Sequence, residues 1–177
     1  MNGDTFSKLK AGLARQEEAL RALKFTVLVW GPGNEPFMTK RNQIVKQLTE
    51  CGFQAFTSEE LARQVPSTLP LPLQEGQHWR LVDLVIVLEA GVAPAMELAS
   101  FAHDAEFCQK CIVFHPRDWD PSLQRTFPSE VLKLFANRVL YAEHEMEVCT
   151  LVAECLHRAE AMRRYRLLKE SPGLMSF

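Results

Sequence analysis

Leu81-Val-Asp-Leu-Val-Ile-Val-Leu88 is the stretch on which the fold turns. Its residues 84–88 are apolar at every position, so a strand formed here has no polar face to turn toward water. Strands of that kind belong to parallel sheets covered by helices on both sides. The chain continues as Ala90-Gly-Val-Ala-Pro-Ala-Met-Glu-Leu-Ala-Ser-Phe-Ala102, whose only charge is Glu97. Pro94 suits the first turn of a helix, where a missing N–H costs nothing. The pattern predicts a helix over 94–107 with Glu97 in or near its first turn. In open α/β sheets, ligands bind at the carboxyl ends of the strands. Two readings of Glu97 follow. It is either a catalytic carboxylate at that crevice or an acid held by the helix macrodipole, an effect worth about 0.3–1 kcal/mol.

Outward from this strand, helices and strands alternate. Residues 4–23 predict an amphipathic helix with Phe6, Leu9, Leu13, Leu20 and Leu23 on one stripe. Phe25–Trp30 reads as the first strand, 38–51 as a helix closed by Gly52, and Phe53–Thr57 as the second strand. Thr57 and Glu60 have capping-box spacing for a short third helix. Prolines 66, 70 and 72 mark a stiff connection, followed by a helix at 73–80 and the strand at 82–88. Further strands are expected at Cys111–Phe114 and Arg138–Tyr141, with a helix at 129–136 between them. A long helix over 143–169 ends the pattern. The expected architecture is one α/β domain over 1–177, with core 25–141: three layers, a five-stranded parallel sheet in flavodoxin-like order, and long terminal helices.

Composition narrows the function classes. With 177 residues, 47% hydrophobic and 24% charged, the chain matches an ordinary globular domain. A formal charge of -2 and a pI of about 6.2 give no basic face for nucleic acid. No apolar run is long enough for a membrane span, and the first residues lack a signal-peptide core, so a cytoplasmic protein is expected. Five cysteines suit reduced thiols better than a disulfide framework. Cys108-Gln-Lys-Cys111 has zinc spacing, but without a second Cys pair no metal is expected, and Cys111 reads as a small core residue.

Around the crevice, Trp30-Gly-Pro-Gly-Asn34 ends the first strand. Gly31, Pro32, Gly33 and Asn34 would let the backbone approach a ligand, with free N–H groups of the next helix facing an anion. They equally fit a tight strand-to-helix turn, and they match neither a Walker loop nor a dinucleotide fingerprint. Trp30 is a candidate base-stacking residue or a core residue. Arg41, beside Lys40, is a phosphate candidate or part of a solvated face. In Leu73-Gln-Glu-Gly-Gln-His-Trp79, Glu75 is a candidate acid or ribose ligand and His78 a poorer one, against a solvated helix start.

The segments at 27–32, 83–88, 94–102 and 110–114, in this order, resemble the nucleoside 2-deoxyribosyltransferase-like proteins, relatives of TIR domains. The likeness spans about residues 25–141. It implies that Glu97 matches the family's nucleophilic glutamate, which displaces a base from a sugar, and that NAD or another nucleotide is a substrate rather than a cofactor. The family's loop aspartate has no counterpart in Ala90-Gly-Val-Ala93, and a second family aspartate falls near Gln74 or Glu75. The resemblance therefore implies hydrolysis of an N-glycosidic bond more readily than transfer. It also implies a TIR-like bacterial stress or antiviral-defence effector that works as an assembly.

The chemistry suits one carboxylate. Cleavage passes through an oxocarbenium-like state that an anion stabilises or traps. Nicotinamide leaves without protonation, whereas an unactivated base needs an acid as well. The expectation is an N-glycosidase with catalytic Glu97 and a pocket formed by residues 30–34, Arg41, Glu75 and His78. The alternative is a non-catalytic TIR-like module that binds a nucleotide or a protein partner. The terminal helices are expected to make the chain a homo-oligomer, with Arg163, Arg164 and Arg166 solvated or paired with a neighbour's acids.

Overall fold

Strands β1 (Thr26–Trp30), β2 (Gln54–Thr57), β3 (Leu84–Leu88), β4 (Cys111–Pro116) and β5 (Arg138–Tyr141) form one sheet in the order β2-β1-β3-β4-β5. Every neighbouring pair is parallel. This is the flavodoxin-like order, with helices on both faces, and it makes β3 the central strand. The computed structural model describes residues 3–65, 68–69, 71–89, 92–116, 127–141 and 148–171.

Alternation along the strands divides the core in two. Val27, Val29, Leu84, Ile86, Leu88, Ile112 and Phe114 face α2 (Phe37–Glu50) and α8 (Val148–Glu170), meeting Ile44, Leu48, Leu151 and Cys155. Leu28, Trp30, Val85, Val87, Cys111 and Val113 face the other layer. There they meet Leu61 of α3 (Ser58–Gln64), Leu98 of α5 (Val92–Phe101), Phe107 of α6 (Ala105–Lys110) and Leu132 of α7 (Phe127–Leu132). All five residues of β3 are buried, as the unbroken apolar run requires.

The capping box forms as expected, with Thr57 accepting from the Glu60 amide and the Glu60 side chain accepting from the Thr57 amide. It fixes where β2 turns into α3. The helix expected over 94–107 is two helices. It starts earlier, at Val92, ends at Phe101, and resumes at Ala105 behind Asp104, whose carboxylate accepts from the amides of Glu106 and Phe107. An aspartate that satisfies the first free amides of a new helix makes the break favourable. α4 (Leu71–His78) runs into a single 3-10 turn at Trp79–Leu81 that feeds the amino end of β3. The sequence placed the start of the last helix at 143, and residues 142–147 lie outside the described set.

The amino end of the sheet is closed by charged groups. Asp83 accepts from the Thr26 amide at 2.8 Å and from Arg166 of α8, which also reaches the Lys24 carbonyl. Lys110 donates to the Val82 carbonyl at 3.1 Å. Arg163 is buried, bonded to Glu160 and stacked 4.2 Å from the Phe53 ring centroid. Arg163 and Arg166, expected to be solvated or to meet a neighbour, thus find partners in their own chain.

Candidate functional site

The strand order changes direction between β1 and β3, and the crevice at such a switch point is where this architecture takes ligands. Gly31 shows how close the two strands come there. Its φ is +156°, and a Cβ on it would lie 3.1 Å from both the Cβ and the carbonyl oxygen of Leu88 and 3.2 Å from Cδ of Arg41. A side chain would collide with the end of the central strand, so glycine is needed for packing as well as for conformation. Gly33 and Asn34 are exposed and Pro32 half-buried. The Asn34 carbonyl accepts from the Met38 amide, which starts α2.

Arg41 fits neither of its expected roles. It is 2% exposed, and its two terminal nitrogens reach both oxygens of Glu59, at 2.7 and 3.1 Å. Burial acts to raise the Glu59 pKa, but the Arg41 hydrogen bonds and charge outweigh it and leave the carboxyl below its ordinary value. The guanidinium is spent on tying α2 to α3. A solvated face was the simpler expectation because Glu59, 18 positions on in sequence, gives no local sign of pairing with it.

Trp30 ends β1 and is buried, its ring packed 5.8 Å from Phe101 and 5.9 Å from Phe107. This is the core role rather than the stacking role. Its indole N–H has no hydrogen-bond partner among the described residues. Gly76 of α4 lies beneath the Phe101 ring, where a Cβ would sit 3.2 Å from it. Phe101 and Glu97 are four residues apart on α5, so they share a helix face. Glu97 therefore stands one turn above the ring that touches Trp30.

Glu97 lies in the second turn, because α5 begins at Val92. The helix has no acidic residue in its first turn, so the macrodipole account of Glu97 weakens. Its side chain is exposed, yet partial burial raises its pKa above the ordinary value. His78 is 2% exposed at the far end of α4, near the amino end of β3, and burial lowers its pKa and keeps it neutral. Glu75 belongs to α4, but its side chain lies outside the described residues.

The residue missed by sequence reasoning is Glu89. It follows β3 directly and is completely buried. Its amide donates to the Phe114 carbonyl at 2.8 Å, and its own carbonyl accepts from the Tyr141 hydroxyl at 2.9 Å. The main chain is thus held on both sides, while neither carboxylate oxygen has a partner among the described residues. Alternation carried one residue past Leu88 puts Glu89 on the face of Val85, Val87 and Trp30. Buried His115 of β4 follows Cys111 and Val113 on that face and is next in register after the Leu88–Phe114 pair. Burial pushes the Glu89 pKa to about 7. The charge is also felt by the Cys111 thiol, which burial first, then Cys108 and Glu89, raise well above the thiol range.

No protein-family model matches the sequence, and no curated protein matches it either. Among the described residues no helix is long and apolar enough to cross a membrane.

Proposed function

We propose that this chain is an N-glycosidase that cleaves the bond between base and sugar in NAD or a related nucleotide, with Glu97 as the carboxylate that stabilises or traps the oxocarbenium carbon. The observation that carries this reading is the placing of Glu97. It stands on the helix that follows the central strand, one turn from Phe101, whose ring packs against Trp30 at the end of β1. A carboxylate that is partly shielded from water interacts more strongly with a developing cation than a fully hydrated one. Hydrolysis needs only that anion and water when the departing group is a pyridinium, since the group leaves neutral.

Glu97→Gln keeps the shape of the side chain and removes its charge. The purified variant is expected to fold normally and to release nicotinamide from NAD at least about 100-fold more slowly than wild type, in line with the loss of one electrostatic catalyst. Chromatographic assay of released base, on NAD and on deoxynucleotides, reads this directly. Wild-type turnover in the variant excludes Glu97. A wild-type protein that binds a nucleotide without cleaving any of these substrates is the non-catalytic TIR-like module instead.

Self-association is part of the same proposal. Phe6, Leu9 and Leu13 are exposed along α1 (Gly3–Ala22), as are Tyr165 and Leu168 of α8. Between the two helices runs a groove of about 270 Å³, lined in part by Leu13, Leu20, Leu167 and Leu168. A second copy burying these side chains removes apolar surface from water at about 25 cal/mol per Å². Light scattering is expected to show a concentration-dependent dimer or larger species, and Leu9→Glu with Leu13→Glu to abolish it. A wild-type monomer at high concentration contradicts the assembly.

A further inference from the structure

We infer that Cys108 and Cys111 are a redox pair, which a low-molecular-weight disulfide such as oxidised glutathione closes into a Cys108–Cys111 bond that releases the turn between α5 and α6. This chemistry is independent of the N-glycosidase reading.

The backbone brings the two cysteines together. Cys108, Gln109 and Lys110 are the last residues of α6, and Cys111 is the first of β4. The helical dihedrals of those three residues fix where the Cα of Cys111 lies. A rise of about 1.5 Å and a turn of about 100° per residue put it about 5 Å from the Cα of Cys108. A disulfide spans about 4.4–6.8 Å between Cα atoms, so this separation suits one. The side chains share their surroundings as well. Cys111 belongs to the core layer of Val85, Val113 and Phe107, and Cys108 packs against that same layer. Cys155, the other buried thiol, lies in the layer across the sheet, and Cys51 and Cys149 are exposed. Each thiol of the pair therefore has only the other as a cysteine neighbour in its layer. They are close enough for charge on Cys108 to add to burial in raising the Cys111 pKa.

Access is unequal. Cys108 is half-buried and Cys111 fully buried, so the outer sulfur meets the oxidant and the inner one resolves the product. Cys108 gives up its proton and its thiolate attacks one sulfur of the small disulfide. The S–S bond breaks, and one glutathione leaves as a thiolate that takes up a proton. Cys111, deprotonated in turn, attacks the Cys108 sulfur of the mixed disulfide and expels the second glutathione. Two protein thiols are oxidised, one small disulfide is reduced to two thiols, and the protons balance. Burial, joined by Asp104, raises the Cys108 pKa too. Neither sulfur is stabilised as a thiolate, so exchange is slow and the closed bond resists reduction.

The consequence is local. In the reduced protein the Cys108 thiol donates to the Ala102 carbonyl at 3.4 Å, tying α6 back to the turn after α5. A disulfide sulfur has no hydrogen to donate, so oxidation undoes this tie. The Asp104 amide, which donates to the Phe101 carbonyl across the same turn, reports the change.

The test incubates reduced wild type with excess oxidised glutathione to completion, followed by alkylation, digestion and mass spectrometry. Cys108 and Cys111 are expected to be joined to each other, unalkylated and lighter by two hydrogens. Hydrogen exchange of the Asp104 amide is expected to be about 3-fold faster in the oxidised protein, the worth of one weak hydrogen bond. Cys108→Ala is expected to show the faster exchange without oxidant and to form no bond to Cys111. Alkylation of both thiols, a glutathione left on Cys108, or a bond from either to another cysteine overturns the inference. Closure of the bond with unchanged Asp104 exchange overturns it as well. If the variant fails to fold, the reduced and oxidised states of wild type decide alone.

Discussion

Glutamine in place of Glu89 is expected to stabilise the folded protein at pH 8 by about 3 kcal/mol and to have little effect near pH 4. The expectation follows from the shift of its carboxyl from 4.5 to about 7 on folding, caused by burial. Each tenfold change in proton affinity is worth about 1.4 kcal/mol. A raised acid binds its proton more tightly when folded. Its full contribution to stability is therefore present below about pH 4.5, drains away as pH rises, and is gone by pH values above about 7. An amide stays neutral throughout, so the variant escapes the loss. Urea denaturation of both proteins at pH 4 and pH 8 measures the two differences. Equal differences at the two pH values contradict a buried neutral carboxyl.

Phe107→Ala is expected to cost about 3–5 kcal/mol, the range for deleting a fully buried aromatic ring. Phe107 is 0% exposed and touches the rings of Trp30, Trp79, Phe101 and Phe135, with centroids 5.2–5.9 Å away. Through these contacts α6 holds the end of β1, the 3-10 turn before β3, and α5. Because Phe101 is one turn from Glu97, the cavity also loosens the helix that carries the proposed nucleophile. Chemical denaturation gives the energy, and the near-ultraviolet signal of Trp30 and Trp79 reports the slackened packing. Phe107→Leu, which keeps much of the volume, is expected to lose less. A loss below about 1 kcal/mol for the alanine variant rules out this ring as the hinge of the aromatic layer.

Much of the fold was legible because hydrophobic period is a strong signal over whole strands. The doubly buried run at 84–88 called for a central parallel strand, and β3 is central. The capping box at Thr57 and Glu60 was readable because both partners lie within four residues. Where the determinants are distant, the sequence was silent. The partner of Arg41 comes from another helix, and one partner of Arg166 is Asp83, far away in the chain. The break before Asp104 was hidden by an apolar pattern that runs on through it. Glu89 is the instructive miss. It served only as the border of an apolar strand, although period-two alternation extended by one residue assigns it to the face of Val85 and Val87. The signal existed in the strand itself, but charge was taken as a sign that the buried segment had ended.

The ion pairs at the amino rim of the sheet have a mechanical meaning. Asp83 ties β1 to β3 and hooks both to the last turns of α8, and Lys110 fastens α6 to the residue before. These fastenings gather at one rim, while at the opposite rim the Glu89 carboxyl and the Trp30 indole N–H have no hydrogen-bond partner among the described residues. The opposite rim is held as well, by Tyr141 on the Glu89 carbonyl and by Arg41 on Glu59. The two ends are thus fastened by separate sets of residues, so one end can be altered by substitution without slackening the other.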